Sequence, residues 1–195
     1  RFFNVYGKGQ SNEYAGVITK FMEKIHSNQP LTIFGNGENT LALAKQNPDT
    51  LYIASEVYLA GIGSLLGEIV DGAIPNIFIT SGDIRLLIDD IKEPVFDDVI
   101  VICPDPWPKL KHHKRRMLTN EFFKLIHPTI QDGGELFMST DVEDYAESIS
   151  EQLDISVGFQ RNDSSLYEAS SLTKFQRRAM DEGRKIYPFS LKKIS

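Results

Sequence analysis

Val99-Ile100-Val101-Ile102-Cys103-Pro104-Asp105-Pro106-Trp107 is the stretch on which the fold is decided. Its first five residues form a short apolar run that reads as a buried strand. A proline ends the run, and Asp105 follows between two prolines, beside the only tryptophan. Lys109, Lys111, Lys114, Arg115 and Arg116 come directly after, with His112 and His113 among them. The whole chain carries a formal charge of −6, so this concentration of positive charge is local. It points to a polyanion guided toward one rigid acid.

Working outward, four more apolar runs have strand length: Leu31–Gly35, Leu51–Ser55, Asn76–Thr80 and Glu135–Ser139. Short runs near Ile155–Phe159 and Ile186–Leu191 bring the expected total to seven. Helical stretches alternate with them, which implies an α/β fold with a mostly parallel sheet. Tyr14, Val17, Ile18, Phe21, Met22 and Ile25 recur at helical spacing, as do Leu59, Ile62, Leu66 and Ile69. Both stripes are expected in the core. Residues 12–26 thus read as an amphipathic helix within an N-terminal extension over 1–30, ahead of one domain over 31–195. Thr140-Asp141-Val142-Glu143 fits a capping box, with Tyr145, Ile149 and Leu153 as the buried stripe of the helix it opens. Thr119 or Asn120 is expected to cap the preceding helix, and Gly133-Gly134 to end the turn after it.

A chain of 195 residues suffices for one well-buried domain. Cys103 is the only cysteine, which excludes an internal disulfide and a multi-cysteine zinc site and fits a reducing, cytoplasmic setting. His112 and His113 have no third ligand at metal spacing, so no metal is expected. No apolar run approaches the roughly 20 residues of a membrane helix. Arg1-Phe2-Phe3-Asn4 shows neither an initiator Met nor a signal-peptide pattern, as in a fragment or processed product. The sequence leaves monomer and homodimer both open.

In open α/β sheets ligands bind beyond the carboxyl ends of the strands. The first expected strand is followed by Gly35-Asn36-Gly37-Glu38, a tight turn or a close approach to a ligand. The second is followed by Glu56, a solvated acid or an acceptor for ribose hydroxyls. The third runs into Ser81-Gly82-Asp83, an acid that caps the next helix or meets an adenine amino group. The fourth ends at Asp105. Four successive strand ends carrying Gly-x-Gly, Glu, Asp and Asp are hard to dismiss as coincidence. A dinucleotide fingerprint would need glycine at Thr40, and no Walker-type Gly-Lys-Ser/Thr is present.

Pro104-Asp105-Pro106-Trp107-Pro108-Lys109 with His112-His113-Lys114-Arg115-Arg116 resembles the signature of the tRNA (guanine-N7)-methyltransferases. Ser139-Thr140-Asp141 and Thr173-Lys174-Phe175-Gln176-Arg177-Arg178 match it in order and spacing. The resemblance runs from about residue 35 to the C-terminus. It implies a class I S-adenosylmethionine-dependent methyltransferase fold and methylation of guanine N7 in the tRNA variable loop, conventionally guanine 46. Carried over by position, Gly35, Gly37, Glu56, Asp83 and Asp105 would contact S-adenosylmethionine, with Asp105 catalytic. Lys109, Asp141, Thr173, Lys174, Phe175 and Gln176 would meet the substrate guanosine. Lys111, His112, His113, Lys114, Arg115 and Arg116 would contact RNA. Gln176 stands where the family usually has Glu.

Residues 1–10 and 31–38 are instead similar to a segment of NAD-dependent nucleotide-sugar epimerases and dehydratases. The two resemblances overlap at the Gly-x-Gly-Glu turn, as if two genes had been joined there. On this alignment Leu31 and Ile33 replace an acidic residue and a glycine of the methyltransferase pattern. Two rival readings follow: a tRNA-binding remnant with a spoiled cofactor loop, and an NAD-dependent epimerase. The second lacks its proton-moving pair, since no tyrosine has a lysine four residues later. The methyltransferase reading needs no strong base, because neutral guanine already exposes a lone pair at N7. The enzyme must position the reactants and stabilise the positive charge that develops on the imidazole ring.

Overall fold

The computed structural model describes residues 31–34, 37–91, 93–155, 158–163 and 172–194, with the backbone alone up to residue 38. The expected helix over 12–26 and Gly35 lie outside the described residues. In chain order the elements are β1 (Leu31–Phe34), α1 (Gly37–Gln46), β2 (Leu51–Glu56), α2 (Leu59–Asp71), β3 (Ile77–Ser81), α3 (Ile84–Asp90) and β4 (Phe96–Ile102). Then come α4 (Asn120–Ile126), β5 (Ile130–Thr140), α5 (Glu143–Asp154), β6 (Phe159–Arg161), α6 (Lys174–Asp181) and β7 (Tyr187–Lys193). The strands form one seven-stranded sheet in the order β3-β2-β1-β4-β5-β7-β6. Neighbours among β1–β5 pair parallel, and β7 runs antiparallel to both β5 and β6.

The inner strands are apolar without alternation because both faces are covered. Leu51, Ile53, Val99, Val101, Leu136 and Met138 enter one core, closed by Ile88 of α3, Phe122, Phe123 and Ile126 of α4, and Tyr145, Ile149 and Leu153 of α5. Tyr52, Ala54, Ile100, Ile102 and Phe137 enter the other, with Leu43 and Ala44 of α1 and Leu65 of α2. The buried stripe expected on α5 is therefore present.

The structure corrects four local expectations. On α2 the inward row is Gly61, Leu65 and Ile69, whereas Leu59 is 82% and Leu66 48% exposed. Gly61 lies close against Glu56: a Cβ there would come within 3.1 Å of the Glu56 side chain. Gly133-Gly134 do not end a turn but lie inside β5, which begins at Ile130. Gly133 has φ +79°, and a Cβ on Gly134 would meet the Asp97 carbonyl at 2.4 Å, so the pair carries the strand through a register shift opposite Phe96–Asp98. The last helix turn of α5 runs up to Ile155, so β6 starts only at Phe159. At the other end of α5 no capping box forms: Thr140 Oγ1 accepts from the Val142 N–H (3.3 Å), a local turn that uses up the hydroxyl. Thr119 does cap α4, accepting from Phe122 N–H at 3.4 Å.

Among the described residues no helix is long and apolar enough to cross a membrane. No group of three His, Cys, Asp or Glu gathers there as metal ligands would.

Asp98 of β4 stands in register with Glu135 of β5 and Thr32 of β1. Burial, helped by the charges of Glu135 and Asp97, pushes its carboxyl up from 3.8 to about 6, against a hydrogen bond from the Glu135 backbone. The same charge raises the buried Tyr52 hydroxyl, though burial does more there. An acid with a raised folded pKa holds its proton more tightly folded than unfolded, so stability is lost as the pH rises from about 4 through about 6. Asp98→Asn should raise stability near neutral pH by up to roughly 3 kcal/mol, with the gain shrinking as the pH falls toward 4. Urea unfolding of both proteins at neutral and acid pH measures this.

Candidate active site

One register row crosses the sheet through Ile79, Ala54, Phe34, Ile100, Phe137 and Ser190. Two to five residues beyond it along the chain stand Glu56, Asp83, Asp105 and Asp141. β2 and β3 lie to one side of the neighbouring β1 and β4, and β5 to the other. The chain thus reverses its direction of growth between β1 and β4, where open α/β sheets form a ligand crevice. Glu56 and Asp83 rim one side of that crevice and Asp105 and Asp141 the other. Gly37 opens α1 at its centre.

The Asp105 loop is fixed almost residue by residue. Prolines hold φ at 104, 106 and 108. Cys103 and Trp107 each adopt φ +45°, and each precedes a proline, where the extended region is preferred. Strain of this kind gathers at functional sites and needs external support. Cys103 N–H donates to the Ser139 carbonyl at 2.8 Å. Arg116 Nε donates to the Pro106 carbonyl at 2.9 Å. Within this frame Asp105 is exposed. Burial pushes the Cys103 thiol up, away from thiolate chemistry.

Arg116 corrects an expectation. Its side chain is only 4% exposed and cannot offer its guanidinium to a phosphate. Nη2 donates to both Asp144 oxygens (2.8 and 2.9 Å), and the guanidinium lies 4.7 Å from the Tyr145 ring centroid. Tyr145 is fully buried and its hydroxyl accepts from Leu118 N–H at 3.0 Å. Arg116 therefore ties the Asp105 loop to the start of α5. Neither Asp144 nor this use of Tyr145 was marked by any sequence pattern, since the interactions join segments far apart in the chain.

The rest of the basic run is a 3-10 helix, Leu110–Arg115, folded onto the loop. Trp107 lies under it: the Arg115 guanidinium sits 4.8 Å over its ring, and His112 meets it edge-on at 5.8 Å. Lys109, Lys111, Lys114 and Arg115 are exposed. His113 turns inward, its Nε2 3.5 Å from Asp144 Oδ2, too far for a good hydrogen bond.

Across the crevice, Glu56 Oε1 accepts from the Val57 and Tyr58 N–H groups at 2.8 and 2.9 Å. Val57 and Tyr58 themselves are 60% and 64% exposed, an apolar face beside Glu56 that the strand-end reading passed over. Asp83 caps α3, accepting from Arg85 N–H at 3.0 Å, and pairs with the Arg85 guanidinium. That guanidinium holds its carboxyl below the usual range. The pair is exposed and worth little, so it yields readily to a competing partner.

On the β5 side, Asp141 is ion-paired to Arg184, which also holds Glu182. Arg184 carries no signal in the sequence, yet it fixes the end of α6 to the rim. Thr173 and Gln176, expected against the guanosine, are 0% and 1% exposed. They are spent on each other as a capping box: Gln176 N–H donates to Thr173 Oγ1 (3.2 Å) and Thr173 N–H to Gln176 Oε1 (3.0 Å). Gln176 supplies the acceptor oxygen that a Glu would, so the exchange leaves the cap intact. The cap starts α6 and leaves Lys174 and Phe175 exposed. A groove of about 610 Å³ between α5 and β7, lined by Glu143, Glu147, Lys185 and Tyr187 among others, shares no residue with this rim.

Residues 31–189 match a family model described as a putative methyltransferase. The chain is 38% identical over 164 residues to a tRNA (guanine-N(7)-)-methyltransferase of Wolbachia pipientis wMel, covering 83% of this chain and 73% of that protein. It is 35% identical to one from Nitrosospira multiformis, covering 82% and 72%. The chain belongs to the tRNA (guanine-N7)-methyltransferase family. Solved structures agree on the fold of this family member. A 16S rRNA (adenine(1408)-N(1))-methyltransferase from Catenulisporales acidiphilia superposes with TM-score 0.61 at 15% identity, covering 98% of each chain. The aminoglycoside resistance methyltransferase NpmB1 gives 0.57 at 16% identity, covering 90% and 93%. The fold is thus that of class I S-adenosylmethionine-dependent methyltransferases. Residues 1–43 also match the NAD dependent epimerase/dehydratase family, so the two likenesses overlap from β1 into α1.

Arg116→Ala should cost roughly 2–4 kcal/mol, since it breaks a buried pair whose partner is half exposed. Arg116→Lys should recover little, because an ammonium cannot bridge a carbonyl and a carboxylate as the fork does. Lys114→Ala, at an exposed position, should stay within about 0.5 kcal/mol of the parent. Denaturant titration of the three variants checks the contrast.

Proposed function

We propose that this chain transfers a methyl group from S-adenosylmethionine to N7 of a guanine in tRNA, guanine 46 of the variable loop. The observation that carries the reading is Asp105, exposed on a strained, proline-fixed loop at the crevice, with exposed cations folded alongside. Relatives named tRNA (guanine-N(7)-)-methyltransferase share 32–39% identity with the chain.

The residues present fit the cofactor. Glu56 and Asp83 can accept hydrogen bonds from ribose hydroxyls and an adenine amino group. Val57 and Tyr58 offer an apolar surface for the purine. When bound, S-adenosylmethionine supplies an electrophilic methyl group. The chain's own work is positioning and electrostatics. Asp105 holds the guanine so that the N7 lone pair faces the donor, and its charge offsets the positive charge growing on the imidazole ring. The locked dihedrals around it keep that geometry from wandering. Lys109, Lys111, Lys114 and Arg115 hold phosphates and set the register of the RNA. Lys174 and Phe175, presented by α6, and Asp141 border the guanosine from the β5 side. No step needs a base, because N7 carries no proton to lose. A tRNA substrate and an unpaired thiol fit work in the cytoplasm.

Asp105→Ala should lower turnover on the order of 100-fold or more while leaving tRNA affinity intact. The assay uses unmodified tRNA and labelled cofactor, with the methylated nucleoside mapped afterwards. Label at a site other than guanine N7, or full turnover by the variant, would reject the reading. Changing Lys111, Lys114 and Arg115 together to Ala should flatten the salt dependence of tRNA binding, by about 0.9 in log–log slope for each phosphate no longer neutralised. An unaltered slope would remove this patch from the RNA interface.

A further inference from the structure

We infer that Leu110 is a wedge: it enters between stacked bases of the bound tRNA, beside the target guanine, and helps turn that guanine out toward Asp105. This rests on the tRNA substrate proposed above.

Leu110 opens the 3-10 helix that follows the Asp105 loop, five residues past the acid. It is 82% exposed, level with Leu59 as the most exposed large apolar side chain among the described residues. A single apolar side chain in water is ordinary in itself. The surroundings of this one are not. Lys109 and Lys111 on either side of it are exposed, as are Lys114 and Arg115 further along the same helix. Trp107, the large apolar surface nearest in the chain, is taken by the Arg115 guanidinium at 4.8 Å and the His112 ring at 5.8 Å. The segment thus lays a cation on the tryptophan and leaves a leucine in water, the reverse of what burial of apolar area alone would favour.

The leucine stands on a stiff base. Pro108 precedes the helix and the Arg116 clamp follows it. Within it His112 N–H donates to the Lys109 carbonyl at 2.7 Å, and Arg116 N–H to the His113 carbonyl at 2.9 Å. Cations on both sides of Leu110 suit phosphates, which position a nucleic acid. Between successive phosphates of a strand lie the sugars and their bases. Proteins unstack bases by driving Leu, Phe, Ile or Met into a base step from among phosphate-binding residues. A base that is to react must leave its stack, and the unstacking has to be offset by new contacts. A leucine buried between bases supplies such a contact, and gains the apolar surroundings that the free protein denies it.

The test uses an unmodified tRNA with 2-aminopurine in place of a base next to the target guanine, since 2-aminopurine fluoresces more strongly when unstacked. Binding of the parent protein should raise the fluorescence. Leu110→Ala should remove most of that rise and lower kcat/KM for methylation about tenfold, the loss of one buried leucine contact. Its tRNA binding should keep the parent's salt slope, because no phosphate contact is removed, and its melting temperature should match the parent's. Leu110→Met, still an apolar wedge, should recover both the fluorescence rise and the turnover. An alanine variant that keeps the parent's rise or the parent's turnover overturns the wedge. So does a parent that methylates the tRNA with no rise, or an alanine variant with a flattened salt slope. A parent that neither binds nor methylates tRNA overturns the proposed function, and this inference with it.

Discussion

A buried guanidinium decides how the exposed chemistry is held. Arg116 is satisfied on three sides, by the Pro106 carbonyl, the Asp144 carboxylate and the Tyr145 ring. Those three belong to the loop after β4 and to the first turn of α5, which follows β5. Because β4 and β5 are adjacent and in register, the guanidinium closes a short circuit between two neighbouring strand ends. Asp105 sits inside that circuit and the cationic 3-10 helix leads into it, so the acid and the cations keep a constant spacing. The salt-bridge partner is half exposed, yet the arginine is not. What makes the interaction firm is the desolvated guanidinium, which has nowhere else to put its donors.

The same circuit accounts for the strain beside Asp105. Two non-glycine residues at φ +45° cost of order 1–3 kcal/mol each. They persist because both flanks are tied, Cys103 to β5 and Pro106 to Arg116. Three prolines then leave the loop few alternative shapes to relax into. Methyl transfer to a ready lone pair demands alignment more than proton chemistry, and a loop of this stiffness answers that demand before any ligand arrives.

The sheet was legible in the sequence because its inner strands are buried on both faces and so appear as bare apolar runs. Strand ends were legible for the same reason: a charged residue or a proline stops such a run abruptly, as Glu56 and Pro104 do. What escaped was anything set by two distant segments. On α2 the residues that reach the core are Leu65 and Ile69, which pack against other elements, whereas periodicity alone also favoured Leu59 and Leu66. Gly133-Gly134 look like a turn locally but serve as a bulge because Asp97 stands opposite. Arg116 looks like its basic neighbours, and only the position of Asp144 separates it from them. Thr173 and Gln176 form a local motif that the sequence does contain, since a Thr-x-x-Gln capping box is set by residues three apart.

The overlap of two family likenesses at β1 bears on which half of the site is robust. β1 contributes four paired residues to β2 and three to β4, all through its backbone. A ladder of that kind is indifferent to which apolar side chains it carries, so Leu31 and Ile33 are compatible with the strand they occupy. β4 and β5 pair over a longer register and carry Asp105, Asp141 and the Arg116 clamp. The side of the crevice that carries Asp105 and the Arg116 clamp is therefore built on strands outside the overlap. The other side of the crevice begins at β1 itself, where Leu31 and Ile33 stand in place of an acid and a glycine of the family pattern. Any weakening from the altered first strand should fall on cofactor affinity and leave the fold and RNA binding untouched.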